Sequence, residues 1–179
     1  DLAEKPLSRN NKQLLRDHAR RLFARHSFEG VSMRDIATSV GVQQSAIYNH
    51  FSSKHDLLVD LMVAHLKHVT AEMRAELSGI ADPLPRLEAL VRFHIAYHVA
   101  QPEDVFLAYM ELRSLTGEAR SEVMALRRAY ERDVQGILDA GVAAGRFQIL
   151  HTGVTAKALL ALLNGVTVWF QEGGELSRE

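Results

Sequence analysis

The chain has 179 residues, of which 47% are hydrophobic, and its formal net charge is −1. This length and composition allow one or two globular domains with a sizeable core. The absence of cysteine excludes disulfides and thiolate metal sites and favours a reducing compartment. Because the N-terminus is too charged for a secretory signal and the most apolar run is short and contains polar residues, we expect a cytoplasmic protein without a membrane span.

The charges are unevenly distributed along the chain. Residues 1–55 contain nine lysines or arginines and five acidic residues, a balance of +4, so the other 124 residues carry −5. A basic N-terminal third on an acidic remainder fits an anion-binding module attached to a carrier that does not bind anions. A first helix with a solvated charged face explains the same pattern, and charge alone does not choose between them.

The N-terminal part is predicted to contain three helices, because its apolar residues recur at helical spacing. The first helix covers about residues 8–26. Ser32 is the predicted N-cap of a short second helix, with Asp35 completing a capping-box-like start. Gly41 follows where a left-handed C-cap is needed. A third helix of about two turns contains few apolar residues.

Helical spacing continues to the C-terminus, so the predicted fold class is all-α with eight or nine helices. Ser53 and Asp82 are N-cap candidates for the fourth and fifth helices. Ser177, near the end, resembles the cap of one more helix. The predicted ranges after the third helix are about residues 53–78, 83–100, 102–115, 116–144 and 152–172.

The last two long helices are apolar on more than one face, which their own chain cannot easily cover. Two such helices from each of two subunits would form a four-helix bundle. A helix that is central in a monomer is the alternative. The predicted dimer-interface residues are Val134, Leu138, Val142, Leu159, Leu162, Val166 and Phe170.

The two short helices around Gly41 are typical of a helix-turn-helix, whose second helix enters the major groove of DNA. That helix lies in the segment "VGVQQSAIYNHF", residues 40–51, which is rich in polar side chains. Gln and Asn can make paired hydrogen bonds to adenine, while Tyr and His reach phosphate oxygens. Lys54 adds a positive charge near the start of the next helix, where the helix dipole also favours a phosphate.

The run "SMRDIATSVGVQQSAIYNHFSSKHDLL", residues 32–58, resembles the DNA-binding signature of the TetR family of bacterial transcriptional repressors. It contains the Ile-Ala of the second helix, the Gly-Val turn, the Tyr-x-His-Phe ending and the Lys-x-x-Leu start of the fourth helix. The resemblance implies a homodimeric, ligand-responsive repressor of a near-palindromic operator. It also implies a DNA-binding domain over residues 1–52 and a ligand-binding and dimerisation domain over residues 53–179.

Carried over residue by residue, the resemblance implies a DNA-facing set. Within it, Tyr48, His50 and Lys54 are expected to hold phosphates. Arg34, Gln44 and Ser45 are expected to contact base edges. The full set is Ser32, Arg34, Gln43, Gln44, Ser45, Ala46, Tyr48, Asn49, His50 and Lys54.

Two positions depart from the family pattern. Gln43 stands where the family usually has Ser or Thr as N-cap, which predicts a less well capped third helix. Ser27 stands where a Gly commonly ends the first helix, which predicts a differently bent entry to the second helix. Neither departure affects the fold class, but both make the operator sequence hard to predict.

The segment "LNGVTVWFQEGGELS", residues 163–177, resembles a pattern in family members that respond to acyl-coenzyme A thioesters, as do residues 111–131. Such an effector needs apolar walls and cationic groups for its phosphates. Solvated helix surface is the alternative for each arginine, and a sensor of drugs or aromatic compounds controlling an efflux or catabolic operon is the alternative function. The predicted pocket residues are Leu61, His65, His94, His98, Phe106, Met110, Arg113, Met124, Arg127, Tyr130 and Trp169.

Other functional classes have weaker support in the sequence. His94 and His98 have the spacing of some metal ligands, but no cysteine or clear acidic third ligand accompanies them, so we expect neither a metal nor a cofactor. No nucleophile elbow, phosphate-binding glycine loop or paired catalytic carboxylates occur, so we do not expect an enzyme. An interaction module without DNA binding is the third interpretation, and it predicts no salt-sensitive binding to any duplex.

Overall fold

The computed structural model describes residues 9–170, apart from the side chains of residues 9–11 and 167–169. All regular structure in this part of the chain is helical, which confirms the predicted all-α class. None of its helices is long and apolar enough to cross a membrane. The α-helices are α1 (Arg9–His26), α2 (Met33–Val40), α3 (Gln44–Tyr48), α4 (Lys54–Glu76), α5 (Pro83–Ala100), α6 (Pro102–Met110), α7 (Gly117–Ala143) and α8 (Thr152–Trp169), with a 3₁₀ helix (Glu111–Ser114) between α6 and α7.

The ends of α2 and the start of α5 follow the predicted capping chemistry. The Ser32 hydroxyl accepts a hydrogen bond from the Asp35 N–H at 3.2 Å, and the Asp35 carboxylate accepts one from the Ser32 N–H at 2.8 Å. This reciprocal pair is the capping box. The Ser32 hydroxyl also donates to the Asp35 carboxylate at 2.7 Å, and this hydrogen bond, together with the one from the Ser32 N–H, lowers the pKa of Asp35. Gly41 has a φ of 76°, the left-handed conformation that ends α2. Asp82 caps α5 by accepting from the Leu84 N–H at 3.1 Å.

Two predicted helix ends differ from the structure. The sixth helix was expected to reach residue 115, but α6 ends at Met110 and the chain tightens into the 3₁₀ helix. The change coincides with Glu111, whose side chain is turned into the core. The last helix was expected to reach residue 172, but α8 ends at Trp169 and Phe170 is extended. The predicted cap at Ser177 lies outside the described residues.

The chain divides into two compact units. The first comprises residues 1–65 and 103–121, and the second comprises residues 66–102 and 122–179. The first unit therefore contains the helix-turn-helix together with α6 and the 3₁₀ helix. The predicted functional boundary between residues 52 and 53 stays a prediction, since compactness and function need not divide a chain at the same residue.

The core of the first unit seats the short helices. Leu15 and Phe23 of α1, Ile36 of α2 and Ile47 of α3 are all 0% exposed. Burying one such side chain stabilises a fold by about 1.5–3 kcal/mol. Ile47 is the only buried residue among the five of α3, so the other four side chains of α3 do not belong to the core.

The core of the second unit is built from the end of α4 together with α5, α7 and α8. Met73, Leu90, Val134 and Ala156 represent these four helices in it, and each is at most 1% exposed. Near the end of α7 the N–H groups of the two residues after Gly145 donate to the carbonyl of Gly141, and this turn brings a phenylalanine ring against Gly141. A Cβ at position 141 would collide with that ring, so the turn requires glycine there.

Candidate nucleic-acid interface and effector core

α3 has little support from its own ends. Gln43 occupies the N-cap position with extended backbone dihedrals, and its side chain makes no capping hydrogen bond. This agrees with the weaker cap expected where Gln replaces Ser or Thr. The five-residue helix is therefore held by tertiary contacts, chiefly the burial of Ile47 and of the nearby Phe51.

Most of the predicted DNA-facing side chains are on the surface. Tyr48 is 49% exposed, which is unusual for an aromatic side chain, and its hydroxyl accepts a hydrogen bond from the Gln44 amide at 3.4 Å. Both residues border an open depression of about 460 Å³, which Ser32 and Lys54 also line. Seven members of the set are exposed and three are half-buried, the exposed ones being Ser32, Arg34, Gln43, Gln44, Ser45, Tyr48 and Asn49 and the half-buried ones Ala46, His50 and Lys54.

Lys54 has contacts that sequence reasoning did not anticipate. Its ammonium donates hydrogen bonds to the carbonyls of Phe28 and Val31, both at 2.8 Å. It also lies 4.1 Å from the centre of the Phe28 ring. An ammonium has three N–H groups, so these carbonyls take two of them. Lys54 therefore holds the segment before α2 in addition to any contact with a phosphate.

His50 is less accessible than its predicted role requires. Its Nε2 atom is buried and has no hydrogen-bond partner among the described residues. A buried ring nitrogen without a partner costs about 1–3 kcal/mol. A phosphate contact through this atom requires the ring to turn, so the phosphate role of His50 stays a prediction.

Two arginines of α1 bind acidic side chains of their own chain. Arg16 forms a bidentate pair with Asp60 at 2.6 and 2.7 Å, and this pairing raises the pKa of Arg16. Arg20 pairs with Glu103 and Asp104 at 3.3 and 3.2 Å. Burial raises the pKa of Asp104, while Arg20 opposes that shift. Part of the basic charge of the N-terminal third is thus neutralised internally, which neither interpretation of the charge pattern anticipated.

The second unit contains a buried polar cluster centred on His94, which is 1% exposed. Burial lowers the pKa of His94 to about 4, so the ring is neutral at pH 7. Its Nε2 lies 2.9 Å from the Asn164 side-chain oxygen, and its Nδ1 lies 3.0 Å from the Tyr130 hydroxyl. Because the amide oxygen only accepts, Nε2 carries the proton and Nδ1 accepts from Tyr130.

Two neighbours of His94, Asn164 and His98, bear on the sequence predictions. Asn164 was not among the predicted pocket residues, although the segment that resembles the acyl-coenzyme A pattern includes it. His98 stacks on His94 with ring centres 3.8 Å apart, and its Nδ1 donates to the His94 carbonyl at 2.8 Å. Among the described residues no group of three His, Cys, Asp or Glu side chains could hold a metal ion.

The remaining predicted pocket residues are distributed over both units. In the first unit Leu61 and His65 are buried and Phe106 is half-buried, whereas Met110 is 52% exposed and Arg113 is also exposed. In the second unit Met124 and Arg127 are half-buried. The side chain of Trp169 lies outside the described part of the structure. The structure therefore brings His94, His98 and Tyr130 together, and it places Met110 and Arg113 on the surface.

The predicted dimer-interface residues do not all face outward. Val134, Leu138 and Val166 are buried within their own chain, and Leu159 and Phe170 are half-buried. Val142 and Leu162 are 38% and 70% exposed. Val154 is also exposed, at 65%, and on α8 it lies on the same side as Leu162, eight residues later. An outward-facing apolar surface on α8 therefore includes one predicted residue and one that was not predicted.

Comparison with known proteins places this arrangement in a family. A family model described as "Bacterial regulatory proteins, tetR family" matches residues 15–61, and one described as "Tetracyclin repressor-like, C-terminal domain" matches residues 81–179. The HTH-type transcriptional repressor KstR2 of Rhodococcus jostii (strain RHA1) is 27% identical over 165 residues, covering 91% of this chain and 81% of that protein.

Solved structures agree with the family models. The TetR family transcriptional regulator PfmR from Thermus thermophilus has a TM-score of 0.83 at 28% identity, covering 93% of this chain and 90% of that one. AibR in complex with isovaleryl coenzyme A and operator DNA has a TM-score of 0.82 at 23% identity, covering 93% of this chain and 91% of that one. KstR2 and PfmR are transcriptional regulators. The chain belongs to the TetR family, whose regulators bind operator DNA as dimers and respond to small molecules, and it is a ligand-responsive, DNA-binding transcriptional repressor.

Proposed function

We propose that the protein represses transcription from a near-palindromic operator and that an acyl-coenzyme A thioester, or a related mostly apolar catabolic intermediate, releases it. The observation that carries the DNA-reading part is the exposed polar face of α3, which a single buried isoleucine seats. The effector part is supported by the neutral polar cluster around His94 in an otherwise apolar core.

On the DNA side, α3 supplies the reading groups. Gln44 and Ser45 are exposed at its start, where the recognition helix of a helix-turn-helix meets base edges. A good bidentate contact discriminates against a wrong base by about 1–3 kcal/mol. Tyr48, His50 and Lys54 hold phosphates, which positions α3 without reading sequence.

A mobility-shift experiment tests this division of roles. The probe is a duplex that the wild-type protein selects from a random pool, and a scrambled duplex of the same length is the control. Tyr48→Ala weakens binding to both duplexes alike and leaves the salt dependence unchanged, because it removes a phosphate contact but no positive charge. Gln44→Ala instead changes which bases are preferred. If both variants bind both duplexes like the wild type, the docking of α3 is wrong.

On the effector side, apolar side chains of α4, α5, α7 and α8 pack around Tyr130, whose hydroxyl is hydrogen-bonded to His94. A ligand with a long apolar part and one hydrogen-bonding group, such as a thioester carbonyl, matches that combination. Arg127, half-buried on α7, is the proposed partner of the coenzyme phosphates. The relative AibR, solved with isovaleryl coenzyme A and operator DNA, supports the same ligand class.

The effector is tested by thermal unfolding with isovaleryl coenzyme A and a long-chain acyl-coenzyme A, with free coenzyme A and the free acids as controls. At 100 times its Kd a ligand stabilises the folded state by about 2.7 kcal/mol, which corresponds to a rise in Tm of roughly 5–10 °C for a chain of this size. The stabilising thioester also releases the selected duplex. Stabilisation by aromatic drugs but by no thioester would instead favour a drug or aromatic-compound sensor.

A further inference from the structure

The segment that joins α1 to α2, residues 27–32, is held more firmly than a surface loop. Phe28 and Val31 are 7% and 3% exposed, so both side chains belong to the core of the first unit. The centre of the Phe28 ring lies 5.4 Å from the centre of the Phe23 ring in α1. Ser32, at the end of the segment, is the N-cap of α2. The path of this segment therefore sets where α2 begins.

A buried carboxylate holds one side of the segment. Glu111, the first residue of the 3₁₀ helix, is 1% exposed. Its Oε1 accepts a hydrogen bond from the Phe28 N–H at 3.0 Å, and its Oε2 accepts one from the Ser114 hydroxyl at 2.8 Å. A carboxylate is rarely buried unless hydrogen bonds satisfy it, so these two contacts fix the Glu111 side chain in one position.

Lys54 binds Phe28 on the carbonyl side. Its ammonium binds the Phe28 carbonyl and covers the Phe28 ring. The two peptide groups that flank the Phe28 Cα are therefore fixed by opposite charges, the N–H by Glu111 and the carbonyl by Lys54. Charge-assisted hydrogen bonds of this kind are shorter and stronger than neutral ones.

The backbone just before Phe28 is one that a free chain avoids. Ser27 has a φ of 58°, the left-handed region that favours glycine. A residue persists in such a conformation where its surroundings over-determine it. Glu111 accepts its hydrogen bond from the N–H of the peptide group between Ser27 and Phe28. The carboxylate therefore holds the turn directly after the left-handed Ser27.

We propose that Glu111 is a positioning residue for operator recognition. By holding the Phe28 N–H, it fixes the segment before α2 and with it the direction in which α2 and α3 present their polar faces. Loss of this hydrogen bond reduces sequence preference more than it reduces general affinity for DNA. The proposal depends on the proposed function in one respect, that α3 reads the operator.

Three variants of the full chain test it. Glu111→Leu removes both acceptors, while Glu111→Gln keeps an acceptor for the Phe28 N–H. Val123→Ala shortens a fully buried side chain of the second unit and serves as a control for lost stability. The measurement is the ratio of the Kd for a scrambled duplex to the Kd for the duplex that the wild type selects, taken well below each Tm.

Glu111→Leu is expected to lower this ratio on the order of tenfold, as for one misplaced base contact. Glu111→Gln and Val123→Ala keep the wild-type ratio. A ratio unchanged in Glu111→Leu, or lowered equally in Val123→Ala, overturns the positioning role. A wild type that selects no duplex overturns the proposed function instead, and that failure is visible before any variant is made.

Hydrogen exchange of the Phe28 amide gives a readout that does not involve DNA. The amide is expected to exchange slowly in the wild type and in Glu111→Gln, and on the order of tenfold faster in Glu111→Leu. Equal exchange rates in the wild type and Glu111→Leu mean that the carboxylate does not hold this N–H, and the proposal then fails whatever the duplex measurements show.

Discussion

Acid should destabilise the protein through His94. In the folded chain the pKa of His94 is about 4, because burial penalises the charged ring more than the Asn164 hydrogen bond favours it. The ordinary value is 6.5. Between these two pH values the unfolded chain binds more protons than the folded chain, so the free energy of unfolding rises with pH. The contribution of neutral His94 is complete above pH 6.5 and is lost as the pH falls towards 4.

The size of the effect follows from the two pKa values. One pKa unit corresponds to about 1.36 kcal/mol, so His94 alone makes the protein about 2 kcal/mol less stable at pH 5 than at pH 7. For a chain of this length that is a fall in Tm of roughly 4–8 °C. The assay is thermal unfolding between pH 5 and pH 7 at a fixed protein concentration, because a dimer's Tm depends on concentration.

The matched variants are His94→Gln and His151→Gln. The glutamine amide at position 94 can still donate to Asn164 and accept from Tyr130, but it does not titrate. His94→Gln is therefore expected to flatten the pH dependence even if it lowers stability overall. His151 is exposed and lies outside the buried cluster, so His151→Gln is the matched control. A full wild-type slope in His94→Gln would refute the assignment of acid sensitivity to this buried ring.

Four further substitutions test the packing of α7, the dimer and the backbone at Ser27. Gly141→Ala forces a Cβ into the Phe147 ring and should cost about 1–3 kcal/mol in urea unfolding, whereas Gly136→Ala, in open space on the same helix, should stabilise by about 0.5–1 kcal/mol. Equal effects would contradict the packing of the turn. Leu162→Glu should convert the dimer to monomer in light scattering while its helix content stays unchanged, and an intact dimer would place the interface elsewhere. Ser27→Gly should stabilise by about 0.5 kcal/mol by relieving the left-handed strain, and a loss of stability would argue against it.

The helix boundaries were predictable where they depend on local chemistry. The capping box of α2 and the left-handed Gly41 involve residues at most a few positions apart, so the sequence contains all of their partners. The end of α6 was not predictable in the same way. There Glu111 turns inward to a backbone N–H 83 residues away, and that distant partner leaves no periodic signal.

The candidate site also has features that local sequence predicts and features that depend on tertiary packing. Exposure of Gln44 and Tyr48 follows from the scarcity of apolar residues in α3, which the sequence displays. Which face of α8 is exposed does not follow from periodicity, because a helix that is apolar all round offers several faces to the core. Only the structure distinguishes Val166, which packs inside its own chain, from Leu162, which is exposed.

The positive charge of the N-terminal third illustrates why a charge balance cannot locate a DNA interface. Arg16 is paired with Asp60 and Arg20 with two carboxylates of α6, so the positive charge of both guanidiniums is offset within the chain. Arg34, by contrast, is exposed at the start of α2. Since α3 itself contains no lysine or arginine, its proposed reading of the operator depends on hydrogen bonds and close contacts of neutral side chains. Contacts of that kind tolerate little displacement, and the proposed reading therefore depends more on the orientation of α2 and α3 than on the charge of the domain.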